Sequence, residues 1–407
     1  MTHATKTSVK QQIQSFKNTA MQLPHLPFAN IFSTECLQQI INASPRKREH
    51  IFTPLATLKT FIFQVISADG SCRQAVSQVF SERASQGKKT NAVGTSSYCK
   101  ARNDLPLTEL IAAVKKTGLA FPIARIVGLV SLSTGALVSY AKGCYQGKGT
   151  GETSLLAALF KDIAINDLLL ADRYYCTWAI IALLIKQGSH ILVQNHAQRK
   201  PNFSDGRKLN AKDHIIRWRK PKRKPVWMSE EDYQALPCDI LIREFSLNGI
   251  VYVTTLLGDK KYHKKELAKL YKERWLIELD FRSIKTNMRM EMLRCKSADM
   301  VRKEIAIHFL SYNLIRANIA RAAMITKKTP RQLSFMTAVQ LFNEIKLPLV
   351  LLAGNVLMYM IKNSLENMAL IAIGRQKRKN QPRAIKRRPK AYPLLKKPRA
   401  EACEAMN

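Results

Sequence analysis

A tyrosine, an arginine, a glutamate and a lysine stand at Tyr271, Arg274, Glu278 and Lys285 in the stretch YKERWLIELDFRSIKTNM. On a helix turning about 100° per residue, offsets of 3, 7 and 14 bring these four to within roughly 60° of one another. Arg282 and Arg289 project onto the same face, so a single carboxylate sits inside a cationic stripe. Leu270, Ile277, Phe281, Ile284 and Met288 line an adjoining apolar face that should turn toward a core. A metal-holding acid ringed by phosphate-binding cations fits this layout. So does a basic amphipathic helix whose charges are only solvated.

The elements that position this helix sit in a chain of 407 residues, enough for one large domain with an insertion or for two to three smaller ones. Lysine and arginine number 66 against 29 acids, a formal charge of +37, which points to a polyanionic partner, nucleic acid first. A membrane surface is the competing polyanion, but MTHATKTSVKQQIQ lacks the apolar core of a signal peptide. The longest apolar run, LPLVLLAGNVLMYMI from Leu347 to Ile361, falls short of the ~20 residues that span a bilayer and reads as a buried helix. Eight cysteines are scattered without a C-x2-C pair, which argues against a zinc site or a disulfide framework and suits a reducing cytoplasm.

Apolar periodicity in SVKQQIQSFKN, TECLQQIINA and TPLATLKTFIFQVIS makes the first hundred or so residues helical. The texture then changes. FPIARIVGLVSL and GALVSYAKGCY are strands broken at STG, and GETSLLAALFKDI is a helix. NDLLLADR is an apolar strand ending in Asp172, CTWAIIALLIKQ a helix and HILVQN another strand, an alternation that indicates an α/β core. A carboxylate at the end of a buried strand is where such folds place chemistry, although Asp172 could also cap the turn after it. Strands and basic loops come next in HIIRWRKPKRKP, CDILIREFSL and GIVYVTTLLGD, and GRQKRKNQPRAIKRRPKAYPLLKKPR forms a basic tail too poor in large apolar residues to pack.

The spacing Y-x2-R-x3-E-x6-K, filled at every position, resembles the signature of bacterial insertion-sequence transposases of the DDE class, the IS-four family. LLLADRYYCTWAIIALLIKQG resembles that family's second catalytic-acid motif, and MEMLRCKSADMVRKEIAIHFLSYNLIRANIARAA its C-terminal helical segment. Matches run from about residue 30 to 370.

The resemblance implies a mixed α/β fold: an RNase H-like catalytic core with a β-rich insertion and helical N- and C-terminal segments. Residues 1–118 would be a helical domain that grips the transposon end, and 119–190 the first part of the core. Residues 191–260 would be the insertion, in which Trp218, Trp227 and the cations around them could reach DNA, with a solvated hairpin tip as the alternative. Residues 261–373 would complete the core, and 374–407 would form the tail. Asp172 and Glu278 match the second and third catalytic acids, ligands for Mg²⁺ (or Mn²⁺) in a two-metal site. Arg274 and Lys285 match DNA-phosphate contacts, Tyr271 the signature tyrosine, and Arg173, Arg282 and Arg289 are further candidates for DNA contact. The implied partners are double-stranded DNA, as transposon ends and target, and a second copy in a synaptic dimer, in a bacterial cytoplasm at the nucleoid.

The family's first aspartate has no counterpart. IAAVKKTG runs straight into LAFPIARIVG, no Asp stands between Asp104 and Asp162, and Glu109 is the only acid in the first part of that interval. Asp69-Gly70-Ser71 lies between two helical runs, where it serves as a turn and a cap. The expectation is an internally deleted transposase without its first core strand, the middle strand of the sheet. Its loss would strip two strand edges of their ladder partner. A noncatalytic protein that binds transposon ends is the alternative. An RNA-binding basic protein is permitted by charge but has no aromatic RNA-recognition motif.

Overall fold

The computed structural model describes residues 34–45, 51–67, 69–87, 95–106, 124–144, 150–295, 297–345 and 354–371. The chain divides into Met1–Ala372 and Ile373–Asn407, and the second unit, with the basic tail, lies outside the described residues, as does SVKQQIQSFKN.

Among the described residues four helices come first: α1 (Thr34–Asn42), α2 (Pro54–Ile66), α3 (Cys72–Ser85) and α4 (Ser96–Asn103). Asp69-Gly70-Ser71 is the turn between α2 and α3. Gly70 has φ +60°, and the Ser71 hydroxyl accepts from the Gln74 N–H at 3.1 Å as the N-cap of α3. It contributes nothing to a catalytic strand.

Strands β1 (Ala124–Val130) and β2 (Leu137–Cys144) form an antiparallel hairpin. After α5 (Glu152–Ala157) come β3 (Leu168–Ala171), α6 (Trp178–Gln187) and β4 (His190–Gln194), with β3 and β4 parallel. Next are β5 (Arg207–Asn210), β6 (Asp213–Arg219), α7 (Glu230–Gln234), β7 (Asp239–Leu247) and β8 (Ile250–Thr254). These strands form no separate sheet. They extend the β3–β4 pair into one six-stranded sheet ordered β3-β4-β8-β7-β6-β5, while β1 and β2 remain a sheet of two.

The period of two along β4 explains the layering. Ile191 and Val193 pack with Ile180, Ile181 and Leu184 of α6, and Leu192 faces the other way with Phe245, Tyr252 and, from α8 (Lys264–Lys272), Leu267 and Tyr271. Trp218 corrects one expectation. It is buried, its indole N–H donates to Glu244 Oε1 at 2.8 Å, and Arg199 covers its ring at 3.4 Å, so it offers no platform to a base.

The described residues close with α9 (Leu276–Arg282), α10 (Ala298–Ile325), α11 (Phe335–Ile345) and α12 (Gly354–Leu370). Helix α10 is the axis of the largest core, where Tyr312, Leu314 and Ile319 meet Leu58 and Phe61 of α2 and Phe342 of α11. Only the end of the 347–361 apolar run is described. On α12 it buries Ile361 and leaves Tyr359 exposed. No helix among the described residues is long and apolar enough to cross a membrane.

His308 lies inside α10's buried face, and burial lowers its imidazole from 6.5 to about 4. The unfolded chain therefore binds this proton first. Stability is full above pH 6.5 and falls as the pH drops toward 4, by on the order of 3 kcal/mol at about 1.4 kcal/mol per unit. In urea denaturation at pH 7 and pH 5, His308→Gln should lose less stability between the two pH values than the wild type.

Candidate active site

The helix carrying Glu278 is less regular than its spacing suggests. Between α8 and α9 the chain tightens into a 3₁₀ turn, Glu273–Trp275, and after α9 it widens into a π turn, Ser283–Asn287. Each change of pitch shifts the phase of the residues beyond it, so the six residues assigned to one face separate. Arg274 and Glu278 stay together. Tyr271 turns inward, Lys285 and Arg282 are exposed, and Arg289 lies past the helix end at φ +58°.

Tyr271 fixes the distance between the two acid-bearing elements. Its ring packs edge-on against Tyr252 at 5.4 Å, and its hydroxyl donates to the Ala171 carbonyl at 3.0 Å, one residue before Asp172. Burial raises the phenol's pKa, so the group stays a donor. Strand β3 then ends, and Asp172 begins a 3₁₀ turn by accepting from the Tyr174 N–H at 3.4 Å. The capping reading of Asp172 is thus met, and it does not exhaust the residue.

The second carboxylate oxygen of Asp172 lies 3.5 Å from Arg274 Nη1, and Glu278 Oε1 lies 3.9 Å from Arg274 Nη2. One guanidinium spans both acids. Both carboxylates are close to half exposed, so Coulomb attraction to Arg274 is screened and each remains available to a ligand. The neighbouring Arg173 is exposed. Two carboxylates are hard oxygen donors of the kind that holds one Mg²⁺ together with phosphate and water. A site for two ions asks for more, and among the described residues no group of three His, Cys, Asp or Glu side chains could hold a metal.

Asp280, two residues beyond Glu278, carried no sequence signal. It is fully buried and pairs with Arg316 of α10 at 2.5 Å and with Arg331 at 2.6 Å. Arg331 also donates to the Leu132 and Ser131 carbonyls, and Arg316 to the Tyr312 hydroxyl, which in turn donates to the Gly135 carbonyl at 2.6 Å. The turn of the β1–β2 hairpin, α10 and the Glu278 helix are bound into one body through this carboxylate.

Residues 112–314 match the model of the transposase DDE domain. A curated relative, transposase InsG for insertion sequence element IS4 of Escherichia coli (strain K12), is 23% identical over 284 residues, covering 68% of this chain and 62% of that protein. The matched segment is a transposase DDE domain. The match spans less than two thirds of the relative's length. In the matched segment the acids at the end of β3 and on α9 share one arginine, and the family's use of divalent metal ions is consistent with their oxygen donors.

Tyr271→Phe removes one buried hydrogen bond and should lower stability by about 1 kcal/mol, read from the shift in urea midpoint at constant slope. An unchanged midpoint would mean that the hydroxyl does not tie the helix to the strand.

Proposed function

We propose that this chain is the transposase of an insertion sequence, acting on double-stranded DNA at transposon ends through cleavage and strand transfer, and that its chemistry is impaired. The observation that carries the reading is the Asp172–Arg274–Glu278 constellation at the end of strand β3. Asp172 and Glu278 are the proposed metal-binding acids, with Mg²⁺ or Mn²⁺ as the ion. Arg274, lying between them, would release the acids to the ion and move to a DNA phosphate, and Lys285, Arg173, Arg282 and Arg289 would extend the cationic surface. Tyr271 positions the pair by holding Glu278's helix to the strand of Asp172.

Impairment rests on the third acid and on the sheet. The sequence offers no aspartate ahead of β1 after Asp104, and the described residues leave β1 and β3 in separate sheets. This supports a chain that lacks its first core strand. Without a third carboxylate no two-ion step can be written for these residues.

Two outcomes test the proposal. Mg²⁺- or Mn²⁺-dependent nicking of a transposon-end duplex should stay at background, and robust nicking that vanishes in Glu278→Ala would show that catalysis is intact. Binding should survive, because it rests on many cations. The affinity for duplex DNA, followed by fluorescence anisotropy, should fall with salt at a slope of roughly −0.9 per phosphate neutralised. Arg274→Ala and Lys285→Ala should each reduce that slope by about one, and Glu278→Ala should bind equally or more tightly without metal. Wild-type slopes for both cation variants, with binding abolished by removal of residues 375–399, would exclude the helix face as a DNA surface. A chain that binds transposon ends specifically but never cuts them would be the noncatalytic alternative.

A further inference from the structure

Helices α2, α3 and α4 meet around a buried cation, Arg102. Its Nη1 donates to Gln64 Oε1 at 3.3 Å and its Nη2 to Cys99 Sγ at 3.8 Å, and the guanidinium lies over the rings of Phe61 and Tyr98. Burial works against the arginine's charge, and the groups that work for it are the Tyr98 phenol and the thiols of Cys72, Cys295 and Cys99. No carboxylate stands among them. The phenol donates to Gln64 Oε1 at 2.8 Å, and burial above all raises it well beyond its usual value, so it stays neutral. The counter-ion that this guanidinium can still acquire is a thiolate.

Two of the three thiols are in contact. Cys72 Sγ lies 3.9 Å from Cys99 Sγ and accepts from Gln64 Nε2 at 3.6 Å. Cys72 opens α3 directly after the Ser71 cap, and Cys99 stands within α4, 27 positions further on. Both are half-buried, and Cys99 also lines an open cavity of about 440 Å³ with Ser96, Lys100, Asn103 and Asp104. Cys295 differs. It is buried, and burial, with Glu304 beside it, pushes its thiol up to about 12. Among the described residues no three His, Cys, Asp or Glu side chains could hold a metal, so the sulfur contact is a dithiol and not part of a metal centre.

We propose that Cys72 and Cys99 form a reversible dithiol–disulfide site that exchanges with small-molecule disulfides. Cys99, beside the open cavity and the Arg102 guanidinium, is the entry thiol. Its thiolate attacks one sulfur of the small disulfide, whose S–S bond breaks. A mixed disulfide forms on Cys99, and the departing thiolate takes up a proton. Cys72 then gives its proton to solvent and attacks the Cys99 sulfur, closing the Cys72–Cys99 bond and releasing the second small thiol. Two protein thiols are oxidised and one small disulfide is reduced to two thiols, so two electrons leave the protein. The new bond fastens the start of α3 to α4, which Lys303 of α10 holds to the body by donating to the Asn103 carbonyl at 2.6 Å. It also constrains the unfolded chain across the intervening loop. The site is independent of what the protein does to DNA, so failure of the DNA assays leaves it standing.

The test equilibrates the full chain in glutathione buffers of increasing oxidised fraction, quenches in acid, alkylates the remaining thiols and maps the peptides by mass without reduction. A Cys72–Cys99 cross-linked peptide should appear and should vanish with dithiothreitol. The exposed Cys238 should take up glutathione and so report that the oxidant is active. In Cys72→Ser the mixed disulfide should accumulate on Cys99, whereas in Cys99→Ser glutathione should reach Cys72 at least tenfold more slowly. Oxidation should raise the urea midpoint of the wild type and leave that of both variants unchanged. Alkylation of both Cys72 and Cys99 in buffers that load Cys238 would overturn the proposal. So would a bond that joins other cysteines in their place, or one that forms only in urea.

Discussion

The Asp280 carboxylate is the group on which the site's geometry depends. Removing a charge from water costs several kcal/mol, and here two guanidiniums, from Arg316 and Arg331, compensate it. Those arginines belong to α10 and to the segment before α11, and through them Asp280 also holds the carbonyls of the β1–β2 turn. Glu278 lies on the outer side of the same short helix. Its position relative to Asp172 is thus set from two directions, by the buried ion cluster behind it and by the Tyr271 hydroxyl on the Ala171 carbonyl. A surface salt bridge could not do this, since exposed pairs contribute little and tolerate many geometries.

Much of the site was legible in the sequence because its chemistry is local. The residues Arg274 and Glu278 are one helical turn apart, and Asp172 follows the short apolar run Leu168–Ala171, which reads as a strand. The strands of FPIARIVGLVSL, GALVSYAKGCY, NDLLLADR and HILVQN stand where their patterns put them, and so does the α6 helix. Other features depended on context. A uniform 100° period could not foresee the 3₁₀ and π turns that rotate Tyr271 inward and carry Lys285 and Arg289 away. Asp280 gave no signal in the sequence, because its arginines come from 36 and 51 residues downstream. Trp218 resembled a stacking residue by its basic neighbours, yet strand alternation directs it into the core beside Trp178.

The continuity of the six-stranded sheet has a consequence for the hairpin. In the same sheet β6 and β7 are braced by buried pairs, Arg243 with Asp213 at 2.7 Å and His214 with Glu244 at 3.1 Å. The β1–β2 hairpin instead joins the body through the Asp280 cluster and Asn313, which bonds both polar groups of Leu137. It is held in place by side chains where a neighbouring strand would otherwise hold it.

The separation of β1 from β3 is a feature on which the proposed impairment rests. Backbone nuclear Overhauser effects in a deuterated, amide-protonated sample measure it directly, since strands paired at about 4.8 Å give a ladder of amide–amide contacts. None is expected between residues 124–130 and 168–171, alongside full ladders for β1–β2 and β3–β4. A continuous ladder joining β1 to β3 would contradict the separation and, with it, the impairment.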